Sequence, residues 1–311
     1  MKHVFFILLV GFQFVLNAQT CCSGGIPLSN NLGLDVLGKG TIQLNLNYDY
    51  NHLNTLKNGN DKLDDNSRLR TTSAVLLNVA YSFTSNLAIE GLFTWVEQSR
   101  EITQFGNTNI ARTSGIGDGV LLAKYKFDDL LGATSFFTLG VGAKIPIGST
   151  TETTNQGILL NADLQPGSGA WDAILWSQVS KSFKFRESMN FSSRIVYRVT
   201  GVNNSYLEIT SYEFGDELQV YLSVLDQFNV LDSYFIPSLT FKYRNASQDK
   251  IGGFELDNTG GNWVFVSPAL SYNITPKLAV NVTSELPIYS NVIGTQLTPT
   301  YRITGGLLYK I

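Results

Sequence analysis

The residues of this chain best placed to do chemistry are charged side chains at every second position of otherwise apolar segments. Lys124 and Lys126, Lys144, Arg194 and Arg198, Lys242 and Arg244, and Arg302 share one parity of their segments, together with Glu90, Asp118 and Glu285. In an extended strand successive side chains point to opposite faces, so this parity is wet and the other oily. The chemistry it offers is recognition by charge and hydrogen bonding rather than bond making. Lys124, Lys144, Arg194, Arg198, Lys242, Arg244, Asp118 and Glu285 are therefore candidate contacts for a solute moving along a polar path. The same residues would equally serve a narrow interior filled by charges paired with one another.

Groups suited to covalent or metal chemistry are sparse. Beyond the first eighteen residues the chain holds a single histidine, His52, too few for a multi-histidine metal site or a His-paired cysteine. Gly115-Ile-Gly117-Asp-Gly119 lacks the Lys-Ser/Thr ending of a phosphate-cradling loop, and no helical pattern follows it. Asn58–Asn66 carries Asp61, Asp64 and Asp65, which would suit loose calcium binding but also suits a solvated loop, since turns favour Asn, Asp and Gly. His52 continues the outward parity of Tyr48 and Tyr50, where a Ser–His pair would attack lipid, but no serine partner is identifiable. The adjacent Cys21 and Cys22 leave three roles open: a strained bond to each other, a bridge to a partner, or a metal ligand pair. No cofactor is implied.

The elements that must position the charged parity are strands. Twelve segments alternate with period 2, the clearest being Ile42-Gln-Leu44-Asn-Leu46-Asn-Tyr48-Asp-Tyr50. The others are 69–83, 87–98, 117–127, 135–147, 171–183, 190–199, 206–224, 234–244, 263–273, 278–286 and 297–311. Connections alternate in length: short at 84–86, 128–131, 184–189, 225–233 and 274–277, long and polar at 51–68, 99–115, 148–169, 245–261 and 289–296. Only 200–205 breaks the rule by being short. Short turns on one side and long loops on the other are the habit of outer-membrane barrels, with an even strand number and both ends on the periplasmic side. In the last twelve residues Tyr301, Ile303, Leu307, Tyr309 and Ile311 share a face, a strand suited to closing the sheet on its first strand so that no edge lies unpaired in lipid. Tyr48, Tyr50, Tyr81, Phe83, Trp95, Tyr125, Phe127, Tyr272 and Tyr309 lie towards strand ends, as interfacial aromatic girdles do. A charge on the lipid face would cost ~2–4 kcal/mol at mid-bilayer, so the charged parity must face the lumen.

Composition agrees. Residues 1–18 read as a secretory signal: Lys2 and His3, an apolar run from Val4, then Leu16-Asn17-Ala18 before a cut. The run is broken early by Gly11 and Gln13, short of the roughly 20 apolar residues of a membrane-spanning helix. Ala18-Gln19-Thr20 does not make a lipoprotein signal ahead of Cys21. Removing Lys2 leaves 21 basic against 25 acidic residues, a formal charge of −4 with no basic patch, which argues against nucleic acid as a partner. The expected organisation is a signal at 1–18, a Gly-rich and mostly uncharged segment at 19–39 that either lies in the periplasm or plugs the lumen from below, and a barrel at 40–311.

From about residue 114 onward the chain resembles a family of outer-membrane transporters labelled "MetA-pathway of phenol degradation", and shares general features with hydrocarbon-uptake barrels. The resemblance rests on Ser114-Gly-Ile-Gly-Asp118-Gly-Val-Leu-Leu-Ala-Lys124-Tyr125, Leu139-Gly-Val-Gly-Ala-Lys-Ile-Pro146-Ile-Gly148, Gln165-Pro-Gly-Ser-Gly169-Ala-Trp-Asp172, Leu286-Pro287 and Gly294-Thr-Gln296-Leu297. It implies an outer-membrane β-barrel with a transport role and fixes no substrate. Folding alone accounts for two of these blocks: glycines at 117 and 119 suit a sharp entry into the wall, and Pro146 suits a strand end. The expectation is an all-β, antiparallel transmembrane barrel of about twelve strands. It would pass a small, apolar or aromatic solute passively across the outer membrane, with membrane lipid and that solute as its partners. A barrel that displays its loops without transport, and a lipid-acting enzyme, are the competing expectations.

Overall fold

Alternation builds the observed fold directly. The computed structural model describes residues 32–311 apart from 131, 133, 155, 231 and 232; the expected signal, most of the 19–39 segment, Cys21 and Cys22 lie outside the described residues. Twelve wall strands run antiparallel: β1 Ile42–Asn58, β2 Arg68–Ser82, β3 Leu87–Gln104, β4 Gly119–Asp128, β5 Ser135–Ile145 and β6 Asp172–Phe183. The wall continues with β7 Arg186–Val199, β8 Glu217–Asp226, β9 Ser233–Ala246, β10 Gly261–Asn273, β11 Leu278–Val292 and β12 Thr295–Lys310. Each pairs with its chain neighbours, and β12 pairs with β1 from Lys310 opposite Gln43 to Thr295 opposite Asn58, which closes the barrel. Ile42 and Ile311 exchange backbone hydrogen bonds of 3.1 and 2.9 Å at the seam. Closure leaves no strand edge to be satisfied in hydrocarbon, where each unpaired backbone group costs several kcal/mol.

The two parities separate as charge and oil require. Leu46, Phe93, Leu121, Val141, Leu175, Leu222 and Val282 stand exposed on the outer face, while Glu90, Lys124, Lys144, Lys242 and Arg244 are buried on the inner one. Rings gather where the wall meets water. Tyr81 and Phe83 pack edge-on at 4.7 Å between centroids, as do Tyr125 and Phe127 at 4.8 Å, at the end carrying the short turns. At the opposite end His52 stacks on Tyr301 at 5.0 Å, next to Tyr50.

The wall strands reach further outward than the alternation alone indicates. β3 continues to Gln104 and pairs with Asn107–Ile116 as a hairpin standing beyond the wall; Gly117-Asp118 then breaks that strand before β4 enters the barrel. Two expectations are corrected. Residues 206–224 are not one strand: Val202–Tyr206 and Thr210–Glu213 form a hairpin through Leu207 and Glu208, both at positive φ. With Lys250–Ile251 and Phe254–Glu255 this hairpin makes a separate four-stranded sheet outside the barrel. The anomalously short connection at 200–205 is thereby removed, because the real one runs to Glu217. Residues 289–296 are not a long loop either. β11 runs to Val292 and turns through Ile293-Gly294 alone, with Gly294 at φ 70° as so tight a reversal demands.

The interior is not uniformly polar. Ala74, Leu76, Leu92, Val96, Val120, Leu122, Ile174, Trp176 and Val196, from β2, β3, β4, β6 and β7, form an apolar block inside the barrel together with Leu32 and Tyr221. That explains the Ala74-Val-Leu-Leu77 run, apolar on both parities: one side meets lipid and the other meets Leu32.

Candidate functional site

The lumen gathers the charged parity into chains of ion pairs. Around one half of the wall the signs alternate strictly. Asp118 lies 3.4 Å from Lys144, Lys144 2.8 Å from Asp172, Asp172 3.7 Å from Arg198, Arg198 2.9 Å from Glu217, and Glu217 2.6 Å from Arg244. Strand register does the positioning, since Lys144 stands opposite Asp172 and Arg198 opposite Glu217. A second chain links Lys242 to Glu285 at 3.0 Å, Glu285 to Arg302 at 3.7 Å, and Arg302 to Asp49 at 3.5 Å. Glu90 binds Lys124 at 2.7 Å, both side chains fully buried. Lys242 and Arg244 also lie over the inward rings of Phe265 and Trp263, each at 4.7 Å.

Two segments that are not wall strands turn into this lumen. On the periplasmic side, Leu32–Leu37 runs along the inner wall. Glu90 accepts hydrogen bonds of 3.2 Å from the N–H groups of Gly33 and Leu34. Asn78 Nδ2 donates to Glu90 at 3.0 Å, Lys124 Nζ donates to the carbonyl of Leu34, and Arg194 Nη1 donates to the carbonyl of Leu32 at 2.8 Å. Gly33, at φ 130°, passes so near Arg194 and Trp176 that a Cβ there would sit 2.9 Å from the guanidinium.

From the external side the connection after β5 folds inward. Arg70 Nη1 donates to Asp163 at 2.6 Å, Thr113 Oγ1 donates to the carbonyl of Leu164 at 2.6 Å, and Leu164 is fully buried. Asp118 accepts from Gly148 N–H at 3.2 Å and from Ser168 N–H and Oγ at 3.0 and 2.7 Å. Gly148 and Gly167 cross backbone to backbone, with no room for a Cβ on either. Three sequence blocks, 114–125, 139–148 and 165–172, thus meet at Asp118, which explains their spacing without a ligand.

Of the residues singled out for solute contact, Lys124, Lys144, Arg198, Lys242, Arg244, Asp118 and Glu285 all stand in these ion pairs. Arg194 lies over the Tyr221 ring at 4.1 Å and has no carboxylate within 4 Å among the described residues. The reading of charge types missed Asp49, Asp172 and Glu217, although their inward parity was legible, and missed Asp163, which sits on an inward loop with no alternation to reveal it. Asp65, in the external loop, accepts hydrogen bonds from Ser67 Oγ and N–H and pairs with Arg68 at 2.9 Å. Slight burial works against its charge, but these partners hold the Asp65 carboxyl below its ordinary value. Among the described residues no group of three His, Cys, Asp or Glu side chains is arranged to hold a metal ion.

Fold and lumen define a closed twelve-stranded barrel of the outer-membrane type whose interior is crossed by ion pairs and narrowed from both ends. The chain belongs to the family described as "Putative MetA-pathway of phenol degradation", whose model matches residues 66–289. Its structure is similar to the COG4313 outer membrane channel from Pseudomonas putida F1, with 14% identity and a TM-score of 0.69 over 90% of this chain and 100% of that one. It is also similar to the beta domain of the Bordetella autotransporter BrkA, with 10% identity and a TM-score of 0.50 over 88% of this chain and 100% of that one. At such identities the likeness establishes the fold. No curated protein matches the chain.

Proposed function

We propose that this barrel is an outer-membrane conduit that passes a small solute passively once its lumen is freed of the Leu32–Lys39 segment. The observation that carries this reading is a cavity of about 330 Å³ inside the barrel. Its walls are β1 and β7–β12 on one side and Leu32, Gly33 and Leu34 on the other. A sealed structural barrel has no need of such a space, and ligand cavities begin near this size. The apolar block beside it favours a solute that is partly aromatic or apolar. The similar Pseudomonas putida protein is an outer membrane channel, which supports the conduit reading but names no solute. Delivery to the outer membrane would proceed by Sec-type export directed by residues 1–18. Plugging by the 19–39 segment is supported by the bonds that tie Gly33 and Leu34 to Glu90.

Liposome swelling with the purified protein tests the reading. Deleting residues 19–37 should raise permeability and single-channel conductance several-fold; an impermeable deletion variant would refute it. A loop-displaying barrel without transport is favoured by the external sheet, whose Ile209 and Phe254 are almost fully exposed. The same assay separates the two, since that barrel stays sealed. For a lipid-acting enzyme, His52→Ala would abolish hydrolysis of a phospholipid, but His52 is engaged in stacking on Tyr301.

A further inference from the structure

The luminal cavity carries a charge that no carboxylate among the described residues balances within 4 Å. Of the two guanidinium groups lining it, Arg302 is shared between Glu285 and Asp49, and Glu285 is shared with Lys242. That set is neutral. Arg194 has no carboxylate within 4 Å among the described residues, and residues 1–31 contain no Asp or Glu to supply one. Ionisable groups inside a membrane protein are paired or serve a ligand, because a lone charge there is expensive. Arg194 uses Nη1 on the carbonyl of Leu32 and lies over Tyr221, whereas its Nε is buried without a hydrogen-bond partner.

A second unmet group lies on the same cavity. Asn45 Oδ1, on β1, is also buried without a partner. The cavity is thus bordered by a guanidinium with no carboxylate within 4 Å among the described residues and by the neutral side-chain amide of Asn45. Leu32, Leu34 and the Tyr221 ring give it apolar surface between hydroxyl-bearing walls. The complement is an anionic group for Arg194, a hydroxyl for Asn45 and a flat apolar body between them. A guanidinium stays charged at every working pH and makes strong charge-assisted hydrogen bonds to carboxylate oxygens, which suits it to that anion.

We infer that this cavity is a binding site for a small hydroxylated carboxylate, with the acid on Arg194 and the hydroxyl on Asn45. The inference deepens the conduit reading by naming the class of solute, and rests on that reading only for passage of the bound solute. Saturable binding without permeation would sink the conduit and leave the site standing; permeation without saturable binding would do the reverse.

The test is calorimetric titration of the full-length mature protein in detergent with 4-hydroxybenzoate, benzoate and 4-hydroxybenzyl alcohol. The hydroxy acid should bind saturably, with the neutral alcohol at least tenfold weaker and benzoate several-fold weaker. Arg194→Gln should weaken 4-hydroxybenzoate at least tenfold and leave the alcohol unchanged. Asn45→Ala should weaken 4-hydroxybenzoate and leave benzoate unchanged. No saturable binding, equal binding of acid and alcohol, or an undiminished affinity in Arg194→Gln would each overturn the proposal. The comparison of the three probes on the unmodified protein decides the matter even where a variant does not fold.

Discussion

Glu90 accepts hydrogen bonds from the N–H of Gly33 through both its carboxylate oxygens, each at 3.2 Å, while Lys124 holds the same carboxylate at 2.7 Å. One buried side chain thus fixes the wall and the inward segment together. Glu90→Gln should loosen both, because it leaves the Lys124 ammonium buried without its counter-charge. A broken buried pair of this kind costs about 3–5 kcal/mol. Glu90→Gln/Lys124→Met should recover most of the lost barrel stability, read by urea unfolding in micelles, without restoring the segment, read by proteolysis between residues 32 and 39.

Glu217 is the hinge of the longer ion-pair chain, touching Arg198 at 2.9 Å and Arg244 at 2.6 Å. Glu217→Ala should destabilise the barrel by about 3–5 kcal/mol, since two guanidinium groups lose one shared partner. Arg68→Ala breaks a partly exposed pair and should cost no more than about 1 kcal/mol. Equal effects in equilibrium unfolding would refute the claim that burial sets the difference.

Acid should act on the external loop through Asp65. Its carboxyl titrates lower folded than unfolded, so its contribution is fully present above the unfolded value of roughly 3.9 and is lost as pH falls through the folded value. Hydrogen exchange at Ser67 should therefore stay constant from neutral pH to about 4, after correction for the intrinsic rate, and its protection should fall below that. Asp65→Asn should remove this acid step.

Gly167 has no room for a methyl group, because a Cβ there would lie 2.4 Å from the carbonyl oxygen of Gly148. Gly167→Ala should push the inward loop away and cost about 1–3 kcal/mol, with a rise in conductance. Gly106, at φ 79° on a hairpin tip with nothing near it, should cost only about 1–2 kcal/mol on replacement by Ala and leave conductance unchanged.

Val141 faces lipid midway along β5 and is 62% exposed. Val141→Arg should cost about 2–4 kcal/mol on folding into lipid vesicles. Ile209→Arg, in the turn of the external hairpin, should change stability by less than about 0.5 kcal/mol.

Much of the wall was legible because alternation reports burial directly when a sheet separates lipid from a lumen. Leu46, Tyr48 and Tyr50 against Asn45, Asn47 and Asp49 already assign the faces of β1. The hairpin through Leu207 and Glu208 was not legible as such, because a strand of the external sheet alternates just as a strand of the wall does. The tight turn at Ile293-Gly294 was concealed for a related reason: Asn, Thr and Gly around it read as a loop, and only pairing with β10 and β12 holds them extended.

Period-2 patterning and turn chemistry act between residues near in the chain, so most of the strands, their inward charges and the closure of the last strand on the first were written in the linear order of residues. Which charges neutralise which was not. Lys124 finds Glu90, Lys242 finds Glu285, and Arg194 finds the carbonyl of Leu32, 162 residues away, and the ring of Tyr221. Those pairings depend on register across strands and on two segments that fold inward. Only the assembled barrel therefore leaves the Arg194 guanidinium beside a cavity with no carboxylate within 4 Å among the described residues, in a lumen otherwise rich in paired ions.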